Sequence, residues 1–413
     1  MKKTKILEIA LAGALAFALF SCSFPGGSSS GLNNGSGNGS GADDHTTEDQ
    51  PISGPLTVAE TWAGKDENDE SITYYINSTY TIKDGGALTL ESGAIVKFGP
   101  NGGIKVLDTG SLVANNVIFT SYRDSRGRKI IAAGESSPEA GDWKQIYIYG
   151  GTSKFTNCEF AYGGNGLHTL QVAKNTNKGK ARVDNCLFKN NSGTAAVNYN
   201  IKAALFYDDA VDYDADKNCV TNTRFEGNVW PLSIPAFFSL KDTNIFVNNT
   251  YNYVHINYNH IKIATVWENV GVPYIYLYSS YPLNIDSAGS LTIVGGEDES
   301  KANKICISTH SMEINKGGKL ILSDYVTFTN SPESSGTEFK GIYCDKDYKF
   351  DTNGNGSYDL TVSKVLLVEN PAKPNIKIEN CAPTASNYID TNTKYQYFIE
   401  KIQDENQWTC NYN

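Results

Sequence analysis

Ile82-Lys-Asp-Gly-Gly86-Ala-Leu88-Thr-Leu90 is the stretch on which the fold turns, because the chain writes it four times. The other copies are Val106-Leu-Asp-Thr-Gly110-Ser-Leu112-Val-Ala114, Ile285-Asp-Ser-Ala-Gly289-Ser-Leu291-Thr-Ile293 and Ile314-Asn-Lys-Gly-Gly318-Lys-Leu320-Ile-Leu322. Each reads aliphatic, three residues, Gly, one residue, Leu, one residue, apolar. Gly86 and Gly110 stand 24 residues apart, Gly289 and Gly318 29 apart. A second unit recurs between them: Phe155-Thr-Asn157-Cys158-Glu-Phe160, Val183-Asp-Asn185-Cys186-Leu-Phe188 and Val220-Thr-Asn222-Thr223-Arg-Phe225, with Asn244-Ile-Phe246 as a worn copy.

Two short strands around a glycine turn cannot bury an apolar face alone. Copies stacked at about 4.8 Å give every strand a partner above and below. Leu then meets Leu, Phe meets Phe, and Cys158 meets Cys186. The glycine is expected to supply the positive φ of a tight corner. Asn before the stacked Cys or Thr suits a left-handed turn and a side-chain ladder. A period of this kind predicts an all-β solenoid. No long run carries the apolar spacing of an amphipathic helix. Copies weaken over 200–280, which is rich in Tyr and Asn.

These residues resemble the right-handed parallel β-helix, the pectin-lyase-like superfamily, and within it the repeats of bacterial surface and exported proteins. The likeness is carried by Leu88 to Gly99, Gly103 to Val106, Gly110 to Asn115, Val117 to Ser121 and Gly141 to Ile146, and returns over about 285–330. It implies a fold and no single reaction, since that superfamily holds lyases, hydrolases, adhesins and inert shafts.

The N-terminus reads as an address. Lys2, Lys3 and Lys5 precede a largely apolar run, Ile6 to Phe20. Fifteen residues of helix rise only about 22 Å, short of a bilayer's hydrocarbon core of about 30 Å. A signal peptide fits. Leu19-Phe20-Ser21-Cys22 resembles the lipobox of bacterial lipoproteins, which implies cleavage before Cys22 and its acylation. The Gly/Ser/Asn run that follows has little to bury and reads as a flexible tether. The expected organisation is a signal peptide over 1–21, lipidated Cys22 with the tether over 22–55, the β-helix over 56–375 and a C-terminal cap over 376–413.

The 413 residues carry 35 Lys plus Arg against 45 Asp plus Glu, a net charge of −10. Loss of residues 1–21 removes three Lys and one Glu, leaving 32 against 44, or −12. With five Arg and an acid excess, nucleic acid is excluded as a partner, because phosphate neutralisation needs dense basic side chains. A negative body is not drawn onto anionic lipid, so the acyl chains on Cys22 would supply the membrane contact. A monomer is expected.

Candidate sites are few. Asp351, Asn353, Asn355 and Asp359, with Gly356 at the turn, resemble the start of an EF-hand calcium loop, but Val362 stands where the bidentate Glu belongs. Calcium is the one cofactor the sequence suggests. Tyr274, Tyr276 and Tyr278 alternate, which puts three rings on one face of a strand. Exposed, they make a strip for sugar or protein; buried, they are core. Asp208, Asp209, Asp212, Asp214 and Asp216 crowd one stretch, expected to be a solvated acidic loop. Arg123, Arg126, Arg128 and Lys129 are expected in a solvated insertion. His255 and His260 lie an odd number of residues apart, so they face opposite sides of a strand. Seven Cys remain after Cys22, too odd a number for a complete intramolecular disulfide set. Cys381 with Cys410 is one pairing the tail allows. The paired-carboxylate, Gly-His and Arg-x-Lys signatures of the hydrolases on this fold are not found.

The function expected from these features is binding or adhesion without catalysis, at the outer membrane or cell surface, to a host or matrix protein or a glycan. The alternatives are a lyase or hydrolase of acidic polysaccharide, and a structural spacer of the envelope.

Overall fold

The computed structural model describes residues 51–130, 134, 136–174, 177–194, 200–209, 211, 216–277, 280–308, 310–315, 317–330, 339, 342–350, 360–367, 376–378 and 407–409. Of two compact units, the description concerns Thr47–Asn413. The signal segment, Cys22, the tether, the calcium-like loop with Asp351, Asn353, Asn355 and Asp359, and Tyr278, Cys381 and Cys410 lie outside the described residues.

The chain is all-β, with long parallel sheets. From Ala59 on, strands fall in turn into three sheets. Sheet III takes Ala59–Trp62, Ala87–Leu90, Ser111–Asn115, Thr152–Thr156, Lys180–Asp184 and Cys219–Thr221. Sheet II takes Thr73–Ile76, Ile95–Phe98, Ile118–Ser121, Glu159–Ala161, Leu187–Lys189, Arg224–Glu226 and Ile245–Val247. Sheet I has eleven strands and runs from Thr79–Ile82 to Ile376–Ile378. Every third strand pairs in parallel, an arrangement compatible with a solenoid.

In-register pairing puts Leu88 beside Leu112 and Leu291 beside Leu320, all four buried in one apolar cluster. Phe119, Phe160, Phe188, Phe225 and Phe246 form a column with centroids 5.0, 4.6, 5.1 and 5.0 Å apart. Offset stacking at these spacings adds to what burial of each ring contributes. Cys158 and Cys186 are free and buried on neighbouring rungs.

The corners work as expected at Asn and differently at Gly. Asn157, Asn185 and Asn222 have φ of 56°, 52° and 52°. Asn185 Nδ2 donates to Asn157 Oδ1 at 2.6 Å, and Asn222 Nδ2 to Asp184 Oδ1 at 2.9 Å. Among the repeat glycines, however, positive φ belongs to the neighbours: Asp84, Gly85, Asp108 and Gly317. Gly86, Gly110, Gly289 and Gly318 are needed for space. A Cβ on them would lie 2.3, 2.6, 2.0 and 2.6 Å from the carbonyl oxygens of Leu56, Ile82, Ile261 and Ile285, one rung away. The expectation that these glycines supply the positive φ is thus corrected: they let two backbones approach.

The weak stretch over 200–280 is where the walls change. Sheet I continues through Leu205–Tyr207, Leu232–Pro235, Val254–Tyr258, Tyr274–Tyr276 and Asn303–Ile307. Sheet II ends at Ile245–Val247. Sheet IV begins at His260–Ile261 and goes on through Leu283–Ile285 and Met312–Ile314; sheet V takes Ala264–Trp267, Ser290–Ile293 and Lys319–Leu322. Sheet V starts over the 237–240 segment: Leu240 N–H donates to Val266 O at 3.0 Å and Val266 N–H to Ser239 Oγ at 3.0 Å. Gln407–Thr409 pairs antiparallel with Lys319–Leu322, the last strand of sheet V before it.

The tyrosine strip is corrected here. Tyr274 and Tyr276 are 0 and 1 % exposed. They point inward because their rings find apolar partners and their hydroxyls find carbonyls. Tyr274 stacks on Trp267 at 5.0 Å and donates to Glu268 O, and Tyr276 donates to Tyr281 O. The alternation was read on the right period but faces the core. Ile275 points outward instead, into a small apolar cluster with Trp230, Ile201 and Cys306.

Candidate functional site

Parallel register makes the outer face of sheet I a set of columns. One column runs Thr81, Lys105, Tyr147, Gln171, Phe206, Ser233, His255, Ile275 and Cys306, each beside the next. Its first five members are half-buried; from Ser233 on they are covered. The transition between the two is a cleft of about 380 Å³ lined by residues including His168, Gln171, Lys202, Phe206, Asp208, Asp209, His255 and Asn257. That volume lies within the range of small-molecule sites, about 300–1,000 Å³. One rung before Gln171, Tyr147 borders a second cavity of about 470 Å³ with Lys105, Lys144 and Gln145.

Both imidazoles of the cleft are neutral. His168 stacks on Phe206 with centroids 3.9 Å apart, and its Nδ1 accepts from the Ala203 N–H at 3.1 Å. A backbone N–H can only donate, so the ring proton of His168 sits on Nε2. Burial, and next the Lys202 ammonium, hold its pKa well below the ordinary value. His255 is held down to about 3 by burial.

Hydrogen bonds fix the polarity of the wall. Asn257 Nδ2 donates to Tyr207 O at 2.8 Å and to Ser233 Oγ at 3.0 Å, which orients its amide. The Ser233 hydroxyl lies 3.0 Å from His255 Nδ1. Which of the two donates follows the tautomer of the imidazole. Among the described residues neither His255 Nε2 nor Asn257 Oδ1 has a hydrogen-bond partner. Buried polar atoms are seldom left so. Both atoms are closed off from solvent behind the cleft.

Of the acidic run, Asp208 and Asp209 face this cleft, Asp216 is exposed, and Asp212 and Asp214 lie outside the described residues. Asp209 and Asp216 are solvated as expected, and Asp208 is half-buried. In the insertion at Arg123–Lys129, Arg128 and Lys129 are exposed as expected, while Arg123 and Arg126 are held in ion pairs. Arg126 is clamped between Asp124 at 2.7 Å and Glu159 at 2.8 Å, and Arg123 pairs with Asp142 at 3.2 Å. Lys97, fully buried, donates to Asp124 O and Arg128 O at 2.7 and 2.6 Å. Burial pushes the Asp124 carboxyl up, but hydrogen bonds from Arg126 and Thr120 outweigh it and hold the group below its ordinary range. These contacts pin the insertion onto sheet II.

Sequence reasoning missed His168 and His255 as site residues. The one available signal was register: His255 falls on the outward parity of its strand, as Phe206 and Tyr147 do on theirs. Among the described residues no group of three or more His, Cys, Asp or Glu side chains is arranged to hold a metal ion. No family model, no curated protein and no solved structure matches the chain.

Proposed function

We propose that the chain is a right-handed parallel β-helix of an exported, lipid-anchored envelope protein, and that it binds a glycan without turning it over. The observation that carries this reading is the cleft on the outer face of sheet I. It offers the ring of Phe206, with that of Tyr147 one cavity away, to stack on the apolar face of a sugar. The parallel strand order supports the β-helix, and Leu19-Phe20-Ser21-Cys22 supports acylation at Cys22 and a place at the outer membrane or cell surface.

The test is binding of the purified chain to arrays of glycans and matrix proteins. Glycan binding that falls at least tenfold in Phe206→Ala is the expected result; an array silent for glycans overturns the reading. For the anchor, cells fed labelled palmitate should label the protein, and Cys22→Ser should abolish the label. A second reading, an enzyme on polysaccharide, is favoured by Asp208, Asp209, Lys202 and His168 sharing one cavity. Accumulating reducing ends or unsaturated product would put it in place of the first.

A further inference from the structure

Three consecutive rungs of the open column carry a ring, an amide and a ring. Tyr147 pairs in register with Gln171, and Gln171 with Phe206. All three are half-buried. Tyr147 borders the cavity of about 470 Å³, and Gln171 and Phe206 border the cleft of about 380 Å³. Register sets the spacing: the two rings stand two rung steps apart, about 9.6 Å. Both are braced. His168 stacks on Phe206, and Tyr149 lies against Tyr147 with centroids 5.0 Å apart. Braced side chains lose little freedom when a ligand settles on them. Among the described residues the Gln171 amide has no hydrogen-bond partner, and Gln171 borders the cleft itself.

The open stretch has two ends. Thr79–Ile82 is the first strand of sheet I, and from Ser233 on the column is covered. Between Thr81 and Phe206 lie four steps, about 19 Å. Charge does not choose the ligand, since Lys105, Lys144 and Lys202 stand with Asp208 and Asp209 along the two cavities. Spacing does. A sugar unit has an apolar face rimmed by hydroxyls, and an aromatic ring stacks on that face. For Tyr147 and Phe206 to stack on one chain, the chain must return the same face at about twice the rung step. A β-1,4-linked chain of glucose, mannose or N-acetylglucosamine does so. Its linkages are equatorial, it runs extended, and each unit is turned over relative to the last, so the face repeats every second unit at close to this distance. An α-1,4-linked glucan coils and does not.

We infer that the stretch from Thr81 to Phe206 takes about four units of an extended β-1,4-linked polysaccharide, with Tyr147 and Phe206 under alternate units and Gln171 beside the unit between them. This rests on the glycan-binding reading and names its substrate class. The Gln171 amide donates to one hydroxyl of the middle unit and accepts from another.

The experiment is calorimetric titration of the full chain with β-1,4-linked oligomers of glucose, mannose and N-acetylglucosamine, two to six units long, and with the α-1,4-linked glucose hexamer. At least one β-1,4 hexamer should bind tenfold or more tightly than the α-1,4 hexamer. Its series should gain affinity from dimer to tetramer and then level off, tetramer and hexamer agreeing within twofold. Tyr147→Ala and Phe206→Ala should each weaken the tetramer at least tenfold, and Gln171→Ala at least threefold, with circular dichroism that stays that of the wild type. An α-1,4 hexamer that binds as well, β-1,4 series that are silent while other glycans on the array bind, or a folded Tyr147→Ala within twofold of wild type overturns the spacing assignment and leaves glycan binding standing. No binding to any glycan overturns both.

Discussion

At the scale of single residues, the repeat glycines show how a sequence signal can be right for an unexpected reason. Each sits where the carbonyl of the rung beside it leaves no room for a Cβ. Gly289→Ala would bring that carbon within 2.0 Å of Ile261 O, a backbone atom that cannot swing aside. The expected cost is about 1–3 kcal/mol, read from urea unfolding; a variant as stable as wild type would mean the rungs stand further apart. The buried histidines set a pH dependence. Folded, His255 stays neutral down to about 3 and His168 also titrates well below its ordinary range. Unfolded, both take up protons near 6.5. The unfolded state thus binds more protons, and stability falls as pH drops from about 6.5 toward 3, by about 1.4 kcal/mol per pH unit for each histidine. Asp124 and Asp184, held below the carboxylate range, add their loss only as pH falls through the ordinary carboxylate value and below. Unfolding curves between pH 7 and 5 isolate the histidines, and His255→Gln should remove one histidine's share of the slope.

At the scale of elements, the aromatic column is the clearest case of a legible feature. Phe160, Phe188 and Phe225 were visible as copies three residues after an Asn, and their rings stack. Phe188→Ala removes a ring stacked on both sides and should cost about 3–5 kcal/mol in chemical denaturation, with the native circular dichroism retained. A loss under about 1 kcal/mol would show that the column does not bear on stability. A second polar ladder escaped the sequence reading. Asn191, Asn228 and Asn249 are buried three residues after the stacked Phe, each donating to a carbonyl of the rung before: Phe160, Phe188 and Phe225. Asn is common in turns, so nothing local distinguishes an exposed ladder from an inner one. The cleft was illegible for a related reason. Tyr147, Gln171, Phe206 and His255 come from rungs of unequal length, so no spacing along the chain announces their alignment. Only register does, and Tyr274 and Tyr276 show that periodicity without register leaves the choice of face open.

At the scale of the whole molecule, the decisive event is the exchange of walls between Val247 and Ala264. The four glycine corners read alike on either side, so the change from sheets II and III to IV and V was invisible in the repeat. The two sets of walls share sheet I and the contacts of 237–240 with Ala264–Trp267. Rungs couple chiefly to their neighbours in such stacks. In moderate urea, native-state hydrogen exchange should show two classes of amides. Those of Arg224–Glu226 and Ile245–Val247 should open with the strands before them, and those of Ser290–Ile293 and Lys319–Leu322 on their own. A single class would mean the exchange is no seam.

Sheet I carries its outward column unbroken across that seam. The groups on it recur at a fixed step of about 4.8 Å, whatever stands behind them. Only the stretch from Thr81 to Phe206 is open to solvent, and a polymer laid there would be measured as on a vernier: units commensurate with the step would keep meeting side chains, and others would drift out of phase after a few. Duplicating one rung would lengthen the scale by one graduation and leave the others where they are.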